Sequence, residues 1–96
     1  MNYSDYLRQW VSSNLSLLEQ LGRVSQQATS DDRSNPSAHV SLERPDGGFV
    51  ELLVWDSGEA EFGYGAQPPG VDEHYEVTNL DEFEGLLRAF MARATG

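Results

Sequence analysis

Two turns of the same grammar bracket the most apolar stretch of this chain, and together they leave it few ways to fold. Pro45-Asp46-Gly47 precedes the run from Phe49 to Trp55, and Asp56-Ser57-Gly58 follows it. Each suits a three-residue hairpin loop, a type I turn closed by Gly in the left-handed conformation. Loop length sets register. The first turn pairs Arg44 with Gly48, hence Leu42 with Val50, Val40 with Leu52 and Ala38 with Val54. The second pairs Trp55 with Glu59, hence Val54 with Ala60, Leu52 with Phe62 and Val50 with Tyr64. Both hairpins independently set apolar against apolar on one face, an agreement that a one-residue slip would destroy. The expected core is therefore an antiparallel meander with strands over about 38–44, 49–55 and 59–64.

Around this meander the periodicity changes. Leu7, Trp10, Val11, Leu15, Leu18 and Leu21 fall on one stripe at helical spacing, which predicts a helix over about 5–22 with Ser4 as its cap. Residues 25–37 are polar throughout and read as a mobile connection. Gly65-Ala66-Gln67-Pro68-Pro69-Gly70 reads as a linker, and Gly63-Tyr64-Gly65 as strand-end glycines. A fourth strand follows over about 73–78, at an edge, with Tyr75 and Val77 on its apolar side. The last helix, about 80–94, carries Leu80, Phe83, Leu87, Phe90, Met91 and Ala94. Thr78 or Asn79 caps it, and Asp81 or Glu82 completes a capping box. The fold class is α+β, a single domain over 1–96: an N-terminal helix, a three-stranded meander plus a fourth strand, and a C-terminal helix. The simplest way to bury both stripes is to lay the two helices on one face of the sheet.

The same pairing lines the opposite face with His39, Ser41, Glu43, Phe49, Glu51, Leu53, Trp55, Glu59 and Glu61, with His74 and Glu76 from the last strand. Phe49, Leu53 and Trp55 stand in one line flanked by carboxylates, the composition of a protein-binding hot spot. The candidate partner-binding residues are Phe49, Glu51, Leu53, Trp55, Glu59, Glu61 and Glu76. An alternative is that the first helix crosses to cover this face, making Trp55 a core residue. The apolar run is what a strand buried on both sides would show, while Glu51, Glu59 and Glu61 argue against full burial.

Charge narrows the partners. Sixteen acids face six bases, all Arg, for a net charge of −10, and eleven acids with no base lie between Pro45 and Leu87. Such a field repels nucleic acid and anionic membrane and speeds encounter with a basic partner. It would also keep a small protein soluble. With no apolar run near membrane-spanning length, no signal-peptide pattern and no cysteine, cytoplasmic residence is the default expectation. An enzyme is not expected. Glu59 and Glu61 share a strand face but read as solvated surface, and His39 and His74 lack metal-ligand spacing. No serine sits in a nucleophile elbow and no glycine pair opens a phosphate-binding helix. No catalytic residue, metal or cofactor is assigned, and Asp72-Glu73-His74, close to the linker, reads as solvated side chains.

The stretch Val50-Glu51-Leu52-Leu53-Val54-Trp55-Asp56-Ser57-Gly58-Glu59-Ala60-Glu61, followed by Asp72-Glu73-His74-Tyr75-Glu76-Val77-Thr78 and a short last helix, resembles the TriTu family of bacterial immunity proteins. The resemblance extends over nearly the whole chain, with Trp-Asp-Ser-Gly-Glu-Ala-Glu as its distinctive run. It implies protection of the producing cell from an Rhs-type polymorphic toxin delivered by type VI secretion. The toxin implied is an ADP-ribosyltransferase that modifies elongation factor Tu. The immunity protein would then be a monomer that binds the toxin domain one to one and obstructs its active site. A secretion chaperone or adaptor holding a basic or amphipathic segment is the alternative function.

Overall fold

A computed structural model describes residues 2–28, 35–67 and 69–96. The elements run α1 (Tyr3–Leu21), β1 (Arg23–Ala28), β2 (Ser37–Glu43), β3 (Phe49–Trp55), β4 (Glu59–Gly65), β5 (Val71–Glu76) and α2 (Leu80–Thr95). The five strands form one antiparallel sheet in chain order, β1-β2-β3-β4-β5.

The register around β3 is the one the turns dictate. Leu42, Val40 and Ala38 face Val50, Leu52 and Val54, which in turn face Tyr64, Phe62 and Ala60. Gly47 (φ 92°) and Gly58 (φ 102°) take the positive φ that closes each loop. Every second residue of β3 is fully buried: Val50, Leu52 and Val54 have no exposed surface. Each such side chain contributes roughly 1.5–3 kcal/mol from burial. Both helices join this core on the same face, α1 through Tyr3, Leu7, Val11 and Leu18, and α2 through Phe83, Leu86, Leu87, Phe90 and Ala94. Trp10, Leu15 and Leu21 pack at its margin, partly buried. Edge-to-face contacts join the helices, Tyr3 with Phe83 at 5.4 Å and Trp10 with Phe90 at 5.8 Å between ring centroids. The alternative in which α1 covers the second face of the sheet therefore does not hold.

Three boundaries differ from the sequence reading, each for a local reason. Arg23–Ala28, whose greater part falls in the expected connection, is an edge strand. An edge strand is held by its backbone ladder to β2 and needs little apolar surface, here half-buried Val24 packed on the core. Residues 29–34 of that connection lie outside the described residues. Helix α1 is capped by Asn2, whose side chain accepts from Asp5 N at 3.1 Å, and not by Ser4. Ser4 is buried in the first turn, and its N–H donates to Asp56 Oδ1 at 2.8 Å. Strand β5 starts and ends two residues earlier than expected. After Glu76 the chain leaves the ladder, Val77 N donates to Gly58 O at 2.8 Å, and Asn79 caps α2 by accepting from Glu82 N at 2.9 Å. Glu82 reaches back to the Thr78 N–H at 2.6 Å. Its carboxyl is held below the usual range by that bond and by the Thr78 hydroxyl. Val77 is buried as expected, but Tyr75 at the edge is 39% exposed.

The turn at 56–58 gathers distant segments. Asp56 N donates to Pro36 O at 2.9 Å, and Ser57 N donates to Asn35 Oδ1 at 3.0 Å. The two turn glycines consequently differ in what they tolerate. A Cβ on Gly47 would meet only Ala66 O at 3.7 Å, whereas one on Gly58 would stand 2.3 Å from the backbone oxygen of Val77. Gly47→Ala should therefore cost about 1–2 kcal/mol, the backbone penalty alone. Gly58→Ala adds a clash with fixed backbone and should cost roughly 3 kcal/mol or more. Urea denaturation of the two variants checks the order, and equal losses would contradict it.

Candidate functional site

The face of the sheet turned away from the helices is open among the described residues, and the pairing arranges it in rows. Trp55 lies between Ser37 and the Glu59–Glu76 pair. The next row runs Gln27, His39, Leu53, Glu61, His74. Below it stand Ser25, Ser41, Glu51, Gly63 and Asp72, then Arg23, Glu43, Phe49 and Gly65. Phe49, Leu53 and Trp55 are half-buried along the middle strand, as are Glu51 and Glu61, while Glu59 and Glu76 are exposed. The structure thus brings all seven sequence-expected residues onto one face. Phe49, Leu53 and Trp55 alternate with the fully buried Val50, Leu52 and Val54, so none of the three belongs to the helix-side core.

Six carboxylates occupy this face, Glu43, Glu51, Glu59, Glu61, Asp72 and Glu76. Arg23 at the β1 edge bonds Glu43 at 3.0 Å. Two histidines sit among the acids. His39 Nε2 is 3.5 Å from Glu51 Oε2, and His74 Nδ1 is 2.9 Å from Glu61 Oε1. The Glu61 hydrogen bond, with the field of Glu61, Glu59 and Glu76, holds the His74 imidazole above its ordinary value. Cross-strand pairing sets Glu59 directly opposite Glu76, a like-charge arrangement that costs stability. Glu59, His74 and Glu76 each offer a ligand atom within 4.8 Å of the others. All three are exposed, and carboxylates in open solvent commonly sit so without an ion, so the cluster carries no metal assignment.

Two readings from sequence need correction. Gly63 is no strand-end glycine: it lies inside β4, paired on both sides with Glu51 and Asp72. Asp72 belongs to β5 and points onto the same face, beside the acids already expected there. The signal that would have found it is phase, since Asp72, His74 and Glu76 alternate as one strand face does. On the helix side, the Arg93 guanidinium lies 3.6 Å over the Tyr64 ring. Glu73 accepts hydrogen bonds there from Tyr64 at 3.2 Å and Tyr75 at 2.7 Å. No helix among the described residues is long and apolar enough to cross a membrane.

A helix layer on one face of the sheet and an acidic, aromatic-centred face that is uncovered among the described residues on the other define an α+β protein of two layers. The chain belongs to the TriTu family of immunity proteins: the family model described as Immunity protein TriTu matches residues 5–93. No match was found among curated proteins or among solved structures.

His74 supplies a direct check of this face. A pKa raised in the folded state means a contribution to stability that is complete below the unfolded value near 6.5. That contribution fades as pH rises through the folded value. Proton NMR titration should find the His74 ring titrating above pH 6.5, and Glu61→Gln should bring it down. An unchanged midpoint in the variant would remove Glu61 as the cause.

Proposed function

We propose that this protein neutralises a cognate toxin domain by covering the toxin's active site with the open face of its sheet. The family match over residues 5–93 carries the immunity role. The bare acidic face supports the location. An immunity protein acts by stoichiometric binding, so it needs an anchor that excludes water and charges that select one partner. Trp55 and Leu53 supply the apolar anchor, and Phe49 extends it. Glu51, Glu59, Glu61 and Glu76 rim it with negative charge, which steers a basic surface toward the face and makes association faster at low ionic strength.

By the family resemblance the toxin is an Rhs-type ADP-ribosyltransferase delivered by type VI secretion and acting on elongation factor Tu. Such an enzyme holds NAD in a cleft containing an essential arginine, and a carboxylate from Glu51, Glu59 or Glu61 would occupy that position. The protein would work in the cytoplasm as a one-to-one inhibitor, with no chemistry of its own.

Co-expression with the toxin domain encoded immediately upstream tests both parts. Wild type should permit bacterial growth, and Trp55→Ala with Glu59→Arg should not, although the double variant remains folded by circular dichroism. Loss of one such anchor typically weakens binding roughly 30-fold. Growth with both proteins would move the interface to another surface. Death with wild type would remove the immunity role for that toxin and favour a secretion chaperone holding an unfolded segment.

A further inference from the structure

A strand at the border of a sheet leaves half of its backbone donors and acceptors without a ladder partner. Strand β5 borders this sheet, and its six residues pair with β4 in unbroken succession, without a bulge. The bond from Val77 N to Gly58 O, at 2.8 Å, continues that pairing by one step and sets its phase. Hydrogen-bonded and open pairs alternate along an antiparallel ladder. Val71, Glu73 and Tyr75 therefore turn their backbone groups to β4, while Asp72, His74 and Glu76 turn theirs outward. Among the described residues no strand pairs with that outer side. Nor does β5 carry a Pro or a Lys, the residues that ordinarily blunt an edge.

Two independent observations say what kind of strand fits there. Val71 and Tyr75, two of the three large apolar side chains exposed among the described residues, flank Glu73 on the helix-side face of β5. Val71 stands opposite Tyr64 and Tyr75 opposite Ala60, so a further strand would carry the apolar face of the sheet across them. The other face of β5 presents Asp72, His74 and Glu76, with Glu59 and Glu61 opposite Glu76 and His74 on β4. No Lys or Arg lies on either strand. A second copy paired here would set a strand of three acids and no Lys or Arg against itself, and like charges across a ladder destabilise it. A strand with Lys or Arg opposite Asp72 and Glu76, and apolar residues on its other face, is favoured on both sides.

We propose that β5 takes an extended, basic strand of the cognate toxin onto its free edge, so that the toxin continues the sheet; the inference deepens the immunity reading above and rests on it. Main-chain bonds to Asp72, His74 and Glu76 hold the added strand, and its alternate side chains meet the acids on one face and Val71 and Tyr75 on the other. Amide hydrogen exchange, with and without the toxin domain encoded immediately upstream, tests it on the wild-type protein. The Glu73 and Tyr75 amides, turned to β4, should be protected in both states. Those of Asp72, His74 and Glu76 should exchange freely alone and become protected in the complex. His74→Pro is the matching variant, because it removes an outward donor and none from the β4 ladder. It should remain folded by circular dichroism, and its toxin affinity by calorimetry should fall roughly 100-fold. His74→Ala keeps the N–H and should bind within about fivefold of wild type.

The failures are separable. If wild type binds the toxin and the three outward amides exchange as fast as before, strand addition is overturned while the immunity reading stands. A folded His74→Pro that binds as tightly as wild type has the same meaning, and should that variant not fold, the exchange pattern decides alone. Equal losses in His74→Pro and His74→Ala would assign the effect to the imidazole and overturn the main-chain contact. If the outward amides are protected without toxin and the protein sediments as a dimer, a second copy takes the edge and the basic strand is overturned. If wild type does not bind, the immunity reading fails and this inference fails with it.

Discussion

The three-residue turn Asp56-Ser57-Gly58 is the point at which otherwise separate parts of the chain are tied together. It closes the β3–β4 hairpin, which is local and costs little loop entropy. The Asp56 side chain also takes an N–H from the first turn of α1. Backbone donors of Asp56 and Ser57 engage the entry to β2, and the carbonyl of Gly58 holds the exit from β5. Each bond is worth only about 1 kcal/mol net. Their value is geometric, because they join the start of α1 and the ends of two strand connections to the middle of the sheet. Once β3 and β4 are in register, the turn stands where these segments must meet it. This gives the distinctive Trp-Asp-Ser-Gly run a structural meaning: Asp56 and Gly58 hold the frame, while Trp55 and Glu59, on either side, face outward.

Legibility of the fold followed the same division between local and distant causes. The two hairpins could be read because loop length and hydrophobic alternation are local signals that agreed with each other. Both helices could be read from their stripes, although Leu86 escaped the α2 pattern and is nevertheless 8% exposed. The start of α1 could not be read. Asn2 and Ser4 are both good caps, and what separates them is Asp56, fifty-two positions from Ser4, which satisfies the Ser4 N–H. Strand β1 was invisible for a related reason. Ser25, Gln26 and Gln27 have no apolar face to show, and their order comes from pairing with a strand whose own position was set elsewhere.

The site was legible in composition and less so in detail. Phe49, Leu53 and Trp55 could be placed in one line because β3 register was certain, and the acids of β4 followed from the second turn. Gly63 looked like a strand-end glycine, since the Gly- and Pro-rich linker opens two residues on, at Gly65. Only the pairing with β5 reveals it as an interior strand position with an acid on each side. Asp72 was discounted for the same reason, as a neighbour of that linker.

Solubility alone does not account for how the charge is distributed. Acids recruited to keep a small protein apart from its neighbours serve best when interspersed with bases over the whole surface. Here Arg8, Arg88 and Arg93 belong to the helices, and on the open face the sole arginine among the described residues is Arg23, already paired at the far edge. The face also accepts Glu59 opposite Glu76 and two carboxylates inclined over a glycine, arrangements that weaken a sheet. The core on the other side, with β3 wholly buried at alternate positions, supplies the stability that makes such a face tolerable. The face is thus costly to the sheet that carries it, and the core beneath it is what allows the fold to hold so many like charges together.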